Sequence, residues 1–192
     1  MAVALAVATL GWLVFEVVLL VRDRVRNQGS TAGDRGTRQL NFLLIIAAVV
    51  VADVLRPLTG THSPLRIPGG PGGWTLTAGT VIVWLGLFIR VWAVVTLGQS
   101  FRTTVEVDPG QAVVSRGPYR QIRHPSYTGL MLIVIGVGIA SGNWLALAVC
   151  ILLPGAAMLR RIRVEEAELT RVLGEPYLAY REHTKRLIPG LW

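Results

Sequence analysis

Two clusters of residues have the types and spacing for chemistry. The first is Gly117-Pro118-Tyr119-Arg120-Gln121-Ile122-Arg123-His124-Pro125-Ser126-Tyr127-Thr128-Gly129. It sets cationic, aromatic, imidazole and hydroxyl groups on a turn-rich backbone, just before an apolar run that begins at Leu130. The second is Arg161, Glu165 and Glu166, followed by Tyr177 and Tyr180. On a helix, Arg161, Glu165 and Glu168 or Leu169 fall on one face. Polar groups this dense beside an apolar run read as a binding site built at a membrane surface. The plain alternative for the first cluster is an interfacial turn, with Arg and Tyr anchoring a helix end. For the second it is a surface ion pair at i,i+4, worth about 0.3 kcal/mol.

The elements that must position these residues are membrane helices. The chain has 192 residues, of which 52% are hydrophobic and 16% charged. Soluble domains carry about 25% charged residues, so the deficit and the long apolar runs indicate an integral membrane protein. The formal net charge of +8 comes mostly from arginines between the apolar runs. That placement points to anionic lipid headgroups as partners rather than nucleic acid. Cys150 is the single cysteine and lies inside an apolar run, which excludes an intrachain disulfide and a thiolate metal site. His62, His124 and His183 are too scattered to suggest a metal. The apolar start, Ala2 to Val21, lacks a basic leader and a small-residue cleavage site, so it is expected to stay as the first helix.

A span needs about 20 mostly apolar residues. The candidates are Ala2 to Val21, Leu40 to Leu55 or Leu58, Leu76 to Leu97, Leu130 to Ala140 and Trp144 to Leu159. The last two are short and are read as a helical hairpin turning on Ser141-Gly142-Asn143, with the fourth extended by a turn through Tyr127 to Gly129. The expected fold class is therefore all-α and polytopic, with about five transmembrane helices in one domain. Residues 1–97 supply three spans, and residues 98–192 form a catalytic half with a cofactor-binding segment.

Arginines crowd alternate connections: Arg22, Arg24, Arg26, Arg35 and Arg38 in the first, and Arg102, Arg116, Arg120 and Arg123 in the third. The tail carries Arg160, Arg161, Arg163, Arg171, Arg181, Lys185 and Arg186. The excess of positive charge on cytoplasmic loops then places these connections and the C-terminus in the cytoplasm and the N-terminus outside. Glu16, Asp53 and Arg90 lie inside apolar runs, where charge is costly and faces a cavity or a partner. Glu16 and Asp53 read equally as polar contacts between helices.

Between the third and fourth spans, Thr103 to Val107 alternates and is expected to be extended. Asp108-Pro109-Gly110 is expected to turn and Gln111 to Val114 to return as a small hairpin. Exposed backbone there could grip a flat ring ligand; the alternative is a surface loop. In the tail, Gly174 stops the fifth helix, Pro176 suits the first turn of another, and Pro189 ends it. Ile188, Leu191 and Trp192 read as an interfacial return to the membrane.

The motifs Gly117-x-Tyr119-x-x-x-Arg123-His124-Pro125-Ser126-Tyr127-x-Gly129 and Arg161-x-x-x-Glu165-Glu166-x-x-Leu169-x-x-x-x-Gly174-x-x-Tyr177-x-x-Tyr180 are separated by an apolar hairpin. Together they resemble the isoprenylcysteine carboxyl methyltransferase family, which is related to phospholipid N-methyltransferases. The resemblance covers about Leu97 to Pro189. It implies an S-adenosylmethionine site closed by the C-terminal segment. Family cofactor contacts fall on Gln111, Ala112, Val113, Val114, Tyr119, His124, Pro125, Ser126, Tyr127 and Glu165, with Glu166 as a second acidic candidate. Another falls near Thr104, where this chain departs from relatives that carry an amide. The family's substrate arginine falls on Arg161, which with Glu165 forms the expected catalytic pair.

The implied activity is methylation of a lipophilic small-molecule or prenylated acceptor at a carboxyl oxygen. An amine of a phospholipid or a small thiol are the alternative acceptors. Further off are an NADPH-dependent sterol-type reductase and a non-enzymatic membrane protein. The chemistry suits the residues. A carboxylate acceptor has no proton to lose, so alignment and desolvation can carry the reaction. A guanidinium can hold that carboxylate by two parallel hydrogen bonds.

Overall fold

The computed structural model describes residues 1–25, 37–70, 72–103, 107 and 111–191. Among these residues, six α-helices follow in order: α1 (Ala2–Val25), α2 (Thr37–Leu58), α3 (Trp74–Leu97), α4 (Pro125–Ala140), α5 (Trp144–Leu173) and α6 (Glu175–His183). Helices α1, α2, α3 and α5 are long and apolar enough to cross a membrane, and α4 is a shorter apolar helix. At 1.5 Å per residue, the 16 residues of α4 reach about 24 Å, against a hydrocarbon core of about 30 Å. Its polar start is thus recessed towards the bilayer. Large apolar side chains such as Leu10, Phe88, Val95 and Leu152 point outwards, as expected of surfaces that face lipid.

The expected hairpin is present. Ser141-Gly142-Asn143 makes the turn, and Gly142 adopts φ 69°, which favours glycine. The Asn143 side chain accepts hydrogen bonds from the Leu145 and Ala146 amides at 2.9 and 3.1 Å, capping α5. Its Nδ2 donates to Thr59 Oγ1 at 2.7 Å, fastening the end of α2 to the turn. The Gly/Pro loop joins the same end: Ile67 N donates to Gly142 O at 2.8 Å and Trp144 N to Leu65 O at 2.9 Å.

Helix α4 begins at Pro125, five residues before the apolar run. Proline at the first helical position has no amide to leave unmet and its φ is already helical. The helix therefore includes Ser126, Tyr127 and Thr128. Helix α5 continues as one 30-residue element to Leu173, where Gly174, at φ 60°, ends it and α6 begins. Residues Gln111 to Val114 form no strand. The Thr104 to Glu106 part of the expected extended segment, the Asp108 to Gly110 turn, Arg26, Arg35, Pro71 and Trp192 lie outside the described residues.

The core is centred on Trp12, Ile133, Met158, Ile162 and Val83, all fully buried. The tightest contact is between α3 and α4, where Gly79 and Gly86 meet Gly136 and Gly129. A Cβ at Gly86 would lie 2.6 Å from the Gly129 carbonyl and one at Gly136 would lie 2.7 Å from the Gly79 carbonyl. Without a hydrophobic force between helices in lipid, such small residues allow close packing. The approach also brings Arg90 of α3 against the start of α4, since a Cβ at Gly129 would lie 2.7 Å from Arg90 N. Gly86→Val is expected to force these helices apart and cost about 1–3 kcal/mol. Thermal unfolding in detergent micelles would show it, whereas the same change at Gly11, which has open space around it, leaves the melting temperature unchanged.

Candidate active site

One end of the bundle gathers the second half of α1, the start of α2, the end of α3, the start of α4, the second half of α5 and all of α6 around a single cavity of about 190 Å³. One wall is apolar: Trp12, Leu20, Phe42, Ile45 and Leu130. The other carries Tyr119, His124, Tyr127, Arg161 and Glu165, and Gln111 to Val114 also line the cavity.

Arg161 and Glu165 are joined through a phenol. Arg161 Nε donates to Tyr127 Oη at 2.7 Å, and that hydroxyl donates to Glu165 Oε2 at 2.6 Å. Arg161 also donates through Nη1 to Thr37 Oγ1 at 3.2 Å and through Nη2 to the Thr103 carbonyl at 2.5 Å. One guanidinium thus ties α2, α4 and the segment after α3 to α5. Glu165 Oε1 lies 3.9 Å from His124 Nδ1, and the side chain is 30% exposed, open to the cavity. The His124 and Tyr127 rings stack at 5.6 Å.

Glu166, one residue on, faces elsewhere. Its Oε1 accepts from Arg123 Nε at 2.9 Å and lies 3.3 Å from His124 Nε2. Its Oε2 accepts from Arg186 Nε and Nη2 at 3.0 and 2.9 Å. Both oxygens are engaged, the side chain is buried, and the residue is not part of the cavity wall. Arg123 donates further to the carbonyl of Thr184. Backbone bonds complete a latch: Arg123 N to Lys185 O at 2.7 Å, His124 N to Arg186 O at 3.0 Å and Lys185 N to Gln121 O at 3.0 Å. Glu166 therefore fixes the tail against the first motif.

The other expected residues divide similarly. Gln111, Ala112, Val113, Val114, Tyr119, His124, Ser126 and Tyr127 line the cavity. Pro125 is fully buried at the start of α4 and does not. Tyr177 and Tyr180 add a second aromatic wall; Tyr180 Oη donates to Tyr119 O at 2.8 Å. The Tyr177 hydroxyl is buried without a partner among the described residues. Burial pushes the Tyr119 and Tyr177 phenols well above their ordinary range, and that of Tyr180 up to about 12. All three stay protonated near neutral pH and can donate hydrogen bonds.

Comparison with known proteins now bears on this arrangement. A profile of the isoprenylcysteine carboxyl methyltransferase (ICMT) family matches residues 79–171. Protein-S-isoprenylcysteine O-methyltransferase A of Arabidopsis thaliana is 28% identical over 153 residues, which cover 78% of each chain. The Schizosaccharomyces pombe protein-S-isoprenylcysteine O-methyltransferase is 33% identical over 107 residues, 55% of this chain and 45% of the yeast protein. A solved structure of the eukaryotic intramembrane Ras methyltransferase ICMT superposes with a TM-score of 0.67 at 27% identity, covering 76% of this chain and 52% of that one.

The chain is related to the isoprenylcysteine carboxyl methyltransferase family. The profile spans both motifs up to Arg171 but begins only within α3. Helices α1 and α2 supply cavity residues outside it, and sequence reasoning found these only in part. Glu16 and Arg90 stood out as charges inside apolar runs, and they prove to be partners. Arg90 Nη2 donates to Glu16 Oε2 at 2.8 Å, Arg90 Nε donates to the other oxygen, and Arg90 Nη1 donates to Ser126 Oγ at 2.7 Å. Trp12 Nε1 also donates to Glu16 Oε1, at 2.9 Å. Asp53 instead pairs with Arg56 at 2.7 Å on the exposed surface near the end of α2. Asp23 went unnoticed. It accepts from Thr103 N at 2.6 Å, which sets the carbonyl that Arg161 holds.

The latch makes Glu166 a stability residue. Glu166→Gln removes the buried carboxylate charge that Arg123 and Arg186 share and is expected to cost about 3 kcal/mol. Thermal unfolding and limited proteolysis check this together: the expected pattern is a lower melting temperature with new cleavage near Arg181. Unchanged behaviour in both would mean that the tail is held by its backbone bonds alone.

Proposed function

We propose that this protein transfers a methyl group from S-adenosylmethionine to a carboxyl oxygen of a lipophilic, isoprenylcysteine-type acceptor at the membrane interface. The observation that carries this reading is the divided cavity. Tyr119, His124, Tyr127, Arg161 and Glu165 suit a charged, nucleoside-bearing methyl donor, Trp12, Leu20, Phe42, Ile45 and Leu130 suit an apolar chain, and both sets line the same cavity.

The residues present fit the donor. Glu165, open to the cavity, supplies an anion for its ammonium and sulfonium. Tyr119, Tyr177 and Tyr180 supply aromatic faces for its adenine. The Tyr177 hydroxyl offers a hydrogen bond that no described residue takes up. When bound, S-adenosylmethionine supplies an electrophilic methyl group on sulfur, and transfer breaks the C–S bond as the C–O bond of an ester forms. The chain's share is to hold and to dry. Arg161 would turn part of its fork from Tyr127 and the Thr103 carbonyl to the acceptor carboxylate, aligning one oxygen. The apolar wall excludes water from both charged reactants. No residue need act as a base.

Equilibrium binding of labelled S-adenosylmethionine to the purified protein tests the donor site. Glu165→Gln is expected to weaken it by about 1.5–3 kcal/mol, the loss of a charge-assisted contact. Tyr177→Phe should weaken it less and leave thermal stability unchanged or higher, because no internal bond is lost. Arg161→Lys should keep donor binding yet lose most methyl transfer. Wild-type donor affinity in both the Glu165 and Tyr177 variants would reject the assignment.

The cavity end carries Arg22, Arg24, Arg38, Arg102, Arg116 and Arg120, whereas the opposite end carries Arg56 and Arg66. We infer that the site and the C-terminus face the cytoplasm, where basic loops are retained. Cysteine introduced at Glu182 and at Thr61 should label from opposite sides of sealed vesicles, with Cys150 silent because it is buried. Labelling of both from one side would reverse this.

A further inference from the structure

The apolar wall contains one polar residue whose chemistry is not used. Asn41 lies on α2 between Leu40 and Phe42, lines the cavity, and is 7% exposed. Its Oδ1 is buried without a hydrogen-bond partner among the described residues. An unmet amide in an apolar wall is costly, and it is not accounted for by polar contact between helices, since that would occupy the oxygen. Its position gives the reason. Thr37 is one turn earlier on the same face of α2, and its hydroxyl accepts from Arg161 Nη1 at 3.2 Å. Residues so spaced have Cβ atoms about 5–6 Å apart. An acceptor whose carboxylate meets Arg161 therefore brings its adjoining atoms within reach of Asn41.

We propose that Asn41 is a specificity residue, whose amide oxygen accepts a hydrogen bond from a donor adjoining the acceptor's carboxylate. This rests on the methyl-transfer reading above. The recognised group is an N–H on the carbon next to the carboxylate, as in an N-acylated amino acid or the end of a peptide. A fatty acid or an ester-linked analogue lacks it and leaves Oδ1 unmet. Sites built around such a bond reject the analogue that cannot make it, because the protein's own buried group then stays unpaired. The other charged groups on the cavity do not duplicate this role: Glu16 is held by Arg90 and Trp12, and Glu165 by Tyr127.

The test compares N-acetyl-S-prenylcysteine with an analogue in which an ester oxygen replaces the N–H. Methyl transfer from labelled S-adenosylmethionine and direct binding of each tritiated acceptor are both measured. Wild type is expected to favour the N–H acceptor by about ten-fold. Asn41→Leu should reduce that preference to near unity, with S-adenosylmethionine affinity unchanged and thermal stability equal or higher. Asn41→Ala provides the same comparison should the larger side chain disturb folding. A preference that survives in these variants, or its absence in wild type, overturns the proposal. Preference in binding without any transfer would sink the methyl-transfer reading and spare Asn41. Transfer without preference would do the reverse.

Discussion

The guanidinium of Arg161 holds the walls of the cavity together. It is 4% exposed and donates to a hydroxyl of α2, a hydroxyl of α4 and the carbonyl of Thr103. A charge buried among membrane helices persists only when its donors are met by the protein. Here each partner comes from a different segment, so the charge that the site needs also fixes the distances between its parts. The close α3–α4 contact serves the same end from the other side. With glycine facing glycine, Arg90 can reach Ser126 Oγ and Glu16 at once. The two buried arginines thus brace opposite flanks of the first motif.

Adjacent carboxylates take different parts because a helix turns 100° per residue. Glu165 looks into the cavity, where the Tyr127 hydroxyl donates to it and His124 stands 3.9 Å away. Glu166 looks towards the tail, where two arginines and His124 surround it. Within one step of chain, one carboxylate is open to the cavity and the other is engaged with the tail.

Much of this was legible in the sequence. Apolar runs of span length marked α1, α2 and α3, and Ser141-Gly142-Asn143 marked the hairpin turn. Gly174 and Pro176 marked the break between α5 and α6, because backbone conformation and a missing amide are local properties. The two motifs were recognisable as a pair, which carried the family resemblance. What was not legible depends on pairing between distant segments. Nothing in the spacing told Glu165 from Glu166 as the residue held by Arg123 and Arg186. The expected extension of the fourth span to Tyr127 fell two residues short of the start of α4 at Pro125, where proline at a helix start was a usable signal. Glu16 and Arg90 could be singled out as costly charges. Their union needed α1 beside α3, and no period or motif encodes that neighbour.

The account stands on methyl transfer to a carboxyl oxygen inside this cavity. The most direct measurement incubates the purified protein in lipid with methyl-labelled S-adenosylmethionine and a prenylcysteine acceptor, then treats the product with alkali. A methyl ester releases its label as volatile methanol, whereas a methylated amine or thioether retains it. The account predicts label that is incorporated into the lipophilic product and lost as methanol. Incorporated label that resists alkali would contradict it.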